Sequence, residues 1–208
     1  MRSLRIIKEL IKERFGAKPL WRKDKEEEET KDSLMLREHK QLRLMSVYGI
    51  GGCSVVKLTD EEMDSWFDFA TGKGKATIGI HALLARAIPK AYDAVMTRKL
   101  DCREYFFGEH NARVKATKVT GSRIRLCLAR EGSVESVLDR TLAAQMLMTN
   151  TALLKSKTGK RLSRVGIIDT NEGAEYAFLE FIPGVSIGDA VIIHRNIACE
   201  IVRERREV

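Results

Sequence analysis

The sequence predicts an α+β protein, with an antiparallel sheet packed against two or three helices and a flexible N-terminal tail. Three observations carry that prediction. Thr59-Asp-Glu-Glu62 is a capping box ahead of apolar residues at helical spacing. From Arg164 onward, short apolar runs alternate with turn residues, as strands do. Residues 1–32, finally, divide into two oppositely charged halves unlike the rest of the chain. At 208 residues, the length suits a tail of residues 1–32 and one domain over 33–208.

The first half of the tail, residues 1–23, holds eight Lys/Arg against two Glu, a net of +6. Leu4, Ile7, Ile11 and Phe15 recur at helical spacing, while Arg2, Arg5, Lys8, Lys12, Arg14 and Lys18 supply the cations. A basic amphipathic helix of this kind is suited to an anionic membrane, apolar side down. Docking on the protein's own core or on a second copy remains equally open. Charge interrupts the apolar residues every two or three positions, so the segment has no signal-peptide core. Residues 24–32 hold six acids and two Lys, a net of −4, and read as a solvated spacer.

The whole chain carries +8, so the body keeps +6 after the tail's +6 and −4. Such a balance points to an anionic partner: nucleic acid, phospholipid or a nucleoprotein surface. The four cysteines, Cys53, Cys102, Cys127 and Cys199, form no CxxC pair and have no histidine at ligand spacing. They read as small buried hydrophobes, with neither zinc nor a disulfide framework expected. No apolar run is long enough to span a membrane.

Leu42–Tyr48 alternates and reads as a strand; Gly49-Ile-Gly-Gly52 breaks it and Cys53–Leu58 reads as a second. After the capping box a helix should bury Met63, Trp66, Phe67 and Ala70 and stop at Thr71-Gly-Lys-Gly-Lys75. That glycine turn lacks the order of a phosphate loop. Its Lys73 and Lys75 read instead as a cationic loop contact. Ala76–Ile88 predicts a helix, and Pro89 begins a further helical segment through Met96. Glu104–Phe107, Ala112–Val119 and Arg123–Leu128 read as strands, the last two forming a hairpin with Arg113, Lys115, Arg123 and Arg125 on a basic face. Ser133 is placed to cap the longest helix, ending near Gly159. Arg164–Asp169, Glu175–Ile182 and Asp189–Val202 close the chain as strands.

Chemistry is sparse. His81 sits on an apolar helix and reads as a satisfied structural residue. His110 follows Glu109 and is a candidate proton carrier, but no Ser or Cys has a nucleophile setting. No metalloprotease, hydrolase or nucleotide motif occurs, and neither a catalytic role nor a cofactor is expected.

The order of features resembles that of rhabdovirus-type matrix proteins. The shared features are a capped helix with Trp66, the basic turn Gly72-Lys-Gly-Lys75, and the apolar Leu83-Leu-Ala85 helix. Lys90-Ala91, Ala94-Val95, Glu104-Tyr105, the Glu109–Arg113 stretch and Thr120-Gly121 follow, then Val165–Ile168 with Glu175–Ile182 as a closing hairpin. The resemblance covers roughly residues 1–182. It departs in two respects: the only prolines are Pro19, Pro89 and Pro183, which leaves no proline-rich late-budding motif, and residues 185–208 continue beyond the closing hairpin.

The resemblance implies a viral structural protein of the virion, beneath the envelope, and of the host cytoplasm and inner membrane face. It would bind anionic lipid membrane and the viral nucleocapsid of nucleoprotein and RNA, self-associate, and drive assembly and budding. An envelope glycoprotein tail is a further partner it allows. The alternative from the residues is a viral nucleic-acid-binding, movement or silencing-suppressor protein, motivated by the basic hairpin and the Lys155–Arg164 cluster.

Overall fold

The computed structural model describes residues 31–117, 126–138 and 161–202. The tail candidates Arg2, Leu4, Arg5, Ile7, Lys8, Ile11, Lys12, Arg14, Phe15 and Lys18, together with Arg123 and Arg125, lie outside the described residues. By its internal contacts the chain divides into Met1–Met35 and Leu36–Val208. In the first unit the described residues are the opening of helix α1 (Lys31–Ile50), where Leu34 and Met35 are exposed.

The second unit joins a helical layer to a small closed barrel. Helices α2 (Asp60–Ala70), α3 (Ile78–Ala87), α4 (Pro89–Tyr92), α5 (Cys102–Tyr105) and α6 (Asn111–Ala116) follow α1. Single π-helical turns, Asp93–Thr97 and Phe106–His110, extend α4 and link α5 to α6. Strands β1 (Arg130–Leu138), β2 (Val165–Thr170), β3 (Gly173–Phe178), β4 (Ala190–His194) and β5 (Ile197–Ile201) close in the order β1-β2-β3-β5-β4. All pairings are antiparallel except β3 with β5, which meet in parallel at Phe178 and Ile197.

The protein is therefore α+β, but in place of the expected antiparallel sheet packed against two or three helices it has a closed five-stranded barrel with one parallel pairing. Closure follows from β1, which pairs with β2 along one edge and with β4 along the other, leaving neither edge strand open. Gly132 makes the close approach to β2 possible: a Cβ there would sit 2.5 Å from the Asp169 carbonyl oxygen.

Several elements form as their residues dictate. Thr59 Oγ1 accepts from the Glu62 N–H at 3.2 Å, and the Thr59 N–H donates to Glu62 Oε2 at 3.0 Å, completing the capping box. Met63, Trp66, Phe67 and Ala70 are buried on α2, and the Trp66 indole N–H donates to the Ser46 carbonyl at 2.9 Å. Pro89 occupies the first turn of α4.

Others differ from the sequence reading. Leu42–Tyr48 is helical within α1, because the strong helix formers of residues 31–44 propagate into it and Leu42, Met45 and Tyr48 also satisfy a helical stripe. Cys53–Leu58 forms no strand. Glu104–Phe107 and Ala112–Ala116 are helical, so Arg113 and Lys115 stand on α6 and not on a hairpin. Asp101 starts α5 by accepting from the Arg103 N–H at 2.9 Å. Ser133 lies inside β1 and caps nothing there; two-sided pairing with Asp169 and Ala190 overrides the local signal. Residues 139–160 of the expected longest helix lie outside the described residues. Asp189–Val202 is two strands, β4 and β5, turned by Arg195 and Asn196 at positive φ (53° and 60°), the type I′ hairpin geometry.

The barrel interior is filled by Val134, Ile168, Ala177, Leu179, Val191, Ile193 and Ala198 with Ile182 and Val185. The opposite faces of the same strands present Val165, Phe178, Ile192, Ile197 and Cys199 to the helical layer. Burying both strand faces makes these runs nearly continuously apolar, as in Ala190-Val-Ile-Ile193.

Candidate functional site

The most concentrated polar chemistry among the described residues lies where the helical layer meets the β4–β5 turn. Three pieces of chain deliver it. The Gly49–Gly52 exit from α1 brings Cys53; Gly51 lies so close to the turn that a Cβ there would sit 2.8 Å from Arg195 Cβ. The π-helical turn before α6 brings His110. The end of β4 brings His194, with Arg195 next to it in the turn. The turn is fixed by the Arg195 N–H donating to the Leu126 carbonyl at 2.8 Å and by Asn196 Nδ2 donating to the Tyr176 carbonyl at 2.9 Å.

His194 is fully buried. Its Nδ1 lies 2.7 Å from the Tyr48 carbonyl oxygen, while its Nε2 lies 3.0 Å from the Cys127 carbonyl oxygen and 3.8 Å from Cys53 Sγ. The His110 ring stands edge-on to it with centroids 5.0 Å apart, and Phe106 packs against both rings at 5.0 and 5.4 Å. The ligating atoms of Cys53, His110 and His194 all lie within 4.8 Å of one another.

Burial sets the protonation of all three. It pushes the Cys53 thiol up to about 11 and holds His110 down to about 4 and His194 to about 3. At neutral pH the site is thus a thiol between two neutral imidazoles. A thiol of that kind is not an activated nucleophile, because the attacking species is the thiolate. The donor set suits a borderline-soft divalent metal.

Cys53 and His110 also line a cleft of about 430 Å³ with Tyr105, Phe106, Lys90, Arg113 and Arg195 around them. No carboxylate is among its lining residues. Arg113 is aimed by Tyr105: its Nη2 donates to the phenol oxygen, and its guanidinium lies 5.4 Å from the ring centroid. The cleft accordingly has an apolar and aromatic floor with a cationic rim.

Of the basic residues singled out in the sequence, Arg113 joins this cleft. Lys115 is exposed on α6 and does not line it. Lys73 and Lys75 are exposed on the turn after α2, but Lys75 lines a different cleft with Glu61, Glu62 and Asp68, where acids outnumber the lysine. Arg98 binds the Glu109 carboxylate through two hydrogen bonds of 2.7 and 2.8 Å on the exposed surface, whereas His110 turns inward. His81 accepts or donates one bond to Tyr92 Oη at 2.9 Å, as expected of a satisfied helix histidine.

Cys102 and Cys199 are buried as expected, but Cys53 and Cys127 are only half-buried, and Cys53 does acquire histidine neighbours. Their separations of 57 and 141 residues match no local ligand spacing, so only the fold reveals them. Lys90 was named only within the Lys90-Ala91 feature of the resemblance and Arg195 not at all; the Arg195-Asn196 pair inside an apolar run was the signal for a two-residue turn. Comparison with protein-family models, with curated proteins and with solved structures returned no match.

Proposed function

We propose that the chain is a non-catalytic, matrix-type viral structural protein. It attaches to the anionic inner face of the envelope and to the ribonucleoprotein, associates with itself, and thereby drives assembly and budding. The observation that carries this reading is charge segregation. Residues 1–23 place a net +6 along an apolar stripe, residues 24–32 follow with −4, and a +6 body follows these. In this reading residues 1–32 are a tail that reaches a membrane or a neighbouring copy.

The energetics suit regulated attachment. Each basic residue near an anionic leaflet contributes about 1 kcal/mol, so one copy binds weakly and salt-sensitively. Linked copies bind strongly through effective concentration. The test is co-sedimentation of the full chain with vesicles. Binding is expected with phosphatidylserine, absent with neutral lipid, weakened by salt, and lost when Arg2, Arg5, Lys8 and Lys12 are all replaced by Glu. Equal sedimentation of that variant, or equal binding to neutral vesicles, refutes the proposal.

A specific observation favours a second reading, nucleic-acid binding. A closed five-stranded barrel of order β1-β2-β3-β5-β4 has the make-up of the OB-type barrels, which bind oligonucleotides on the strand 2–3 face and the adjoining loops. Here that face is partly occupied: Val165 and Phe178 pack under the helical layer, and Tyr176 lies partly against it. The β4–β5 turn, with Arg195 at the cationic cleft, is the part of such a surface that remains. RNA binding with a steep salt slope, reduced by Arg195→Ala while vesicle binding persists, would establish this reading.

A further inference from the structure

We propose that Cys53, His110 and His194 bind one divalent transition-metal ion of the zinc class, which ties the helical layer to the barrel. The inference is independent of attachment to anionic surfaces. It stands on four features of geometry.

First, the ligating atoms of the three residues lie within 4.8 Å of one another although they come from three separate parts of the fold. Second, Cys53 Sγ and His194 Nε2 are 3.8 Å apart. Tetrahedral zinc with sulfur at about 2.3 Å and nitrogen at 2.0–2.1 Å places such a pair about 3.6 Å apart. Third, both nitrogens of His194 face oxygen acceptors, Tyr48 O at 2.7 Å and Cys127 O at 3.0 Å. A neutral imidazole has one N–H to donate. With Nδ1–H given to Tyr48, the Nε2 lone pair faces the Cys127 carbonyl oxygen at 3.0 Å with no proton between them, and meets the Cys53 thiol only at 3.8 Å. A backbone carbonyl holding the distal N–H is how proteins orient a metal-binding histidine, and a cation at Nε2 turns the unfavourable contact into a ligand bond. Fourth, His110 Nδ1 is buried without a hydrogen bond, the neighbouring Asn111 side chain being committed to Ala129.

Binding exchanges a proton for the ion: the Cys53 S–H bond breaks, the sulfur bonds to the metal, and the proton leaves to solvent. Two positive charges replace one, which relieves the burial that keeps this thiol protonated. Arg195 lies beside Cys53 and favours its thiolate, although Arg195 and Arg113 also repel a dication. The neighbouring cleft offers water as a further ligand.

The test is a cobalt titration of the chelator-treated full chain under reducing conditions. We expect a thiolate-to-cobalt charge-transfer band that saturates at one equivalent and disappears on adding zinc. Cys53→Ser should abolish the band. His110→Asn should keep it but weaken affinity by at least tenfold, while Cys102→Ser and Cys199→Ser leave both unchanged. Absence of the band in excess cobalt overturns the proposal, as does its survival in Cys53→Ser. Should Cys53→Ser fail to fold, alkylation of the unaltered chain with mass mapping reads the same point. Zinc must then protect Cys53 selectively, and labelling of Cys53 that is equal with and without zinc overturns the proposal.

Discussion

Asn111→Ala should be among the most damaging single truncations of a polar side chain in this protein. Asn111 Nδ2 donates to the Ala129 carbonyl at 2.9 Å, and the Ala129 N–H donates to Asn111 Oδ1 at 2.9 Å. Both residues are buried, at 8% and 3% exposure, so water does not replace the lost partners. Truncation orphans one donor and one acceptor at about 1–3 kcal/mol each, for a loss of about 2–6 kcal/mol. The exposed pair of Arg98 and Glu109 supplies the control. It also makes two hydrogen bonds, at 2.7 and 2.8 Å, but its side chains are 44% and 45% exposed. Solvent screening leaves such an exposed pair little net worth, so Glu109→Gln should cost far less than Asn111→Ala. Urea unfolding followed by tryptophan fluorescence and circular dichroism measures both. An Asn111→Ala cost below that of Glu109→Gln would refute the claim that burial, not bond count, decides the matter.

Two further outcomes follow from buried charge and from burial of histidine. Arg130 and Glu175 form an ion pair inside the described body, with side chains 8% and 10% exposed. Glu175→Ala should cost about 3–5 kcal/mol by leaving a buried charge, whereas Arg130→Met with Glu175→Leu should be near neutral or stabilising; a double variant as unstable as the single one contradicts this. Acid should destabilise the metal-free protein well before its carboxylates titrate in bulk. His110 and His194 are neutral when folded, held to about 4 and 3 chiefly by burial, against an ordinary 6.5. The unfolded chain takes up protons first, so the stabilisation is complete above about pH 6.5 and is lost as pH falls toward 4 and then 3. Glu200 acts oppositely, since burial raises its carboxyl, and its contribution is lost as pH rises. Urea midpoints of the chelator-treated chain at pH 7.5, 6 and 5 should fall in that order; a flat or rising series argues against neutral buried histidines.

The parts of the fold legible in sequence were those coded locally. The capping box at Thr59 and Glu62, the buried stripe of α2 and the proline at the start of α4 need nothing beyond neighbouring residues. The turn before β3 and the strand runs around it were legible for the same reason. Leu42–Tyr48 misled because a short apolar run fits both periods, and the helix formers preceding it decided the outcome. Ser133 misled in the opposite direction, since pairing on both edges of β1 outweighs a cap signal. Barrel closure was not legible at all: it depends on β1 meeting β4, a contact between residues about sixty apart that no local pattern encodes.

The same distinction explains why the cysteine–histidine cluster was invisible while Arg113, expected on a hairpin, stands out in the sequence although it lies on α6. Arg113 is conspicuous in sequence as one of several cations, whatever element carries it. Cys53, His110 and His194 become chemically meaningful only at a junction of two layers. There the helical layer ends in irregular backbone at Gly49–Cys53, the barrel ends in a two-residue turn, and neither ladder satisfies every polar group. His110 Nδ1 and Arg195 Nε are buried without hydrogen-bond partners in this neighbourhood. Orphaned groups of this kind each cost free energy. Their concentration beside a Cys–His–His cluster is difficult to explain as packing alone, because apolar substitutes would fill the same space at lower cost. A bound cation would satisfy the His110 nitrogen and an acceptor group of a ligand in the adjoining cleft would satisfy the Arg195 N–H, and the cobalt titration separates the first from the second.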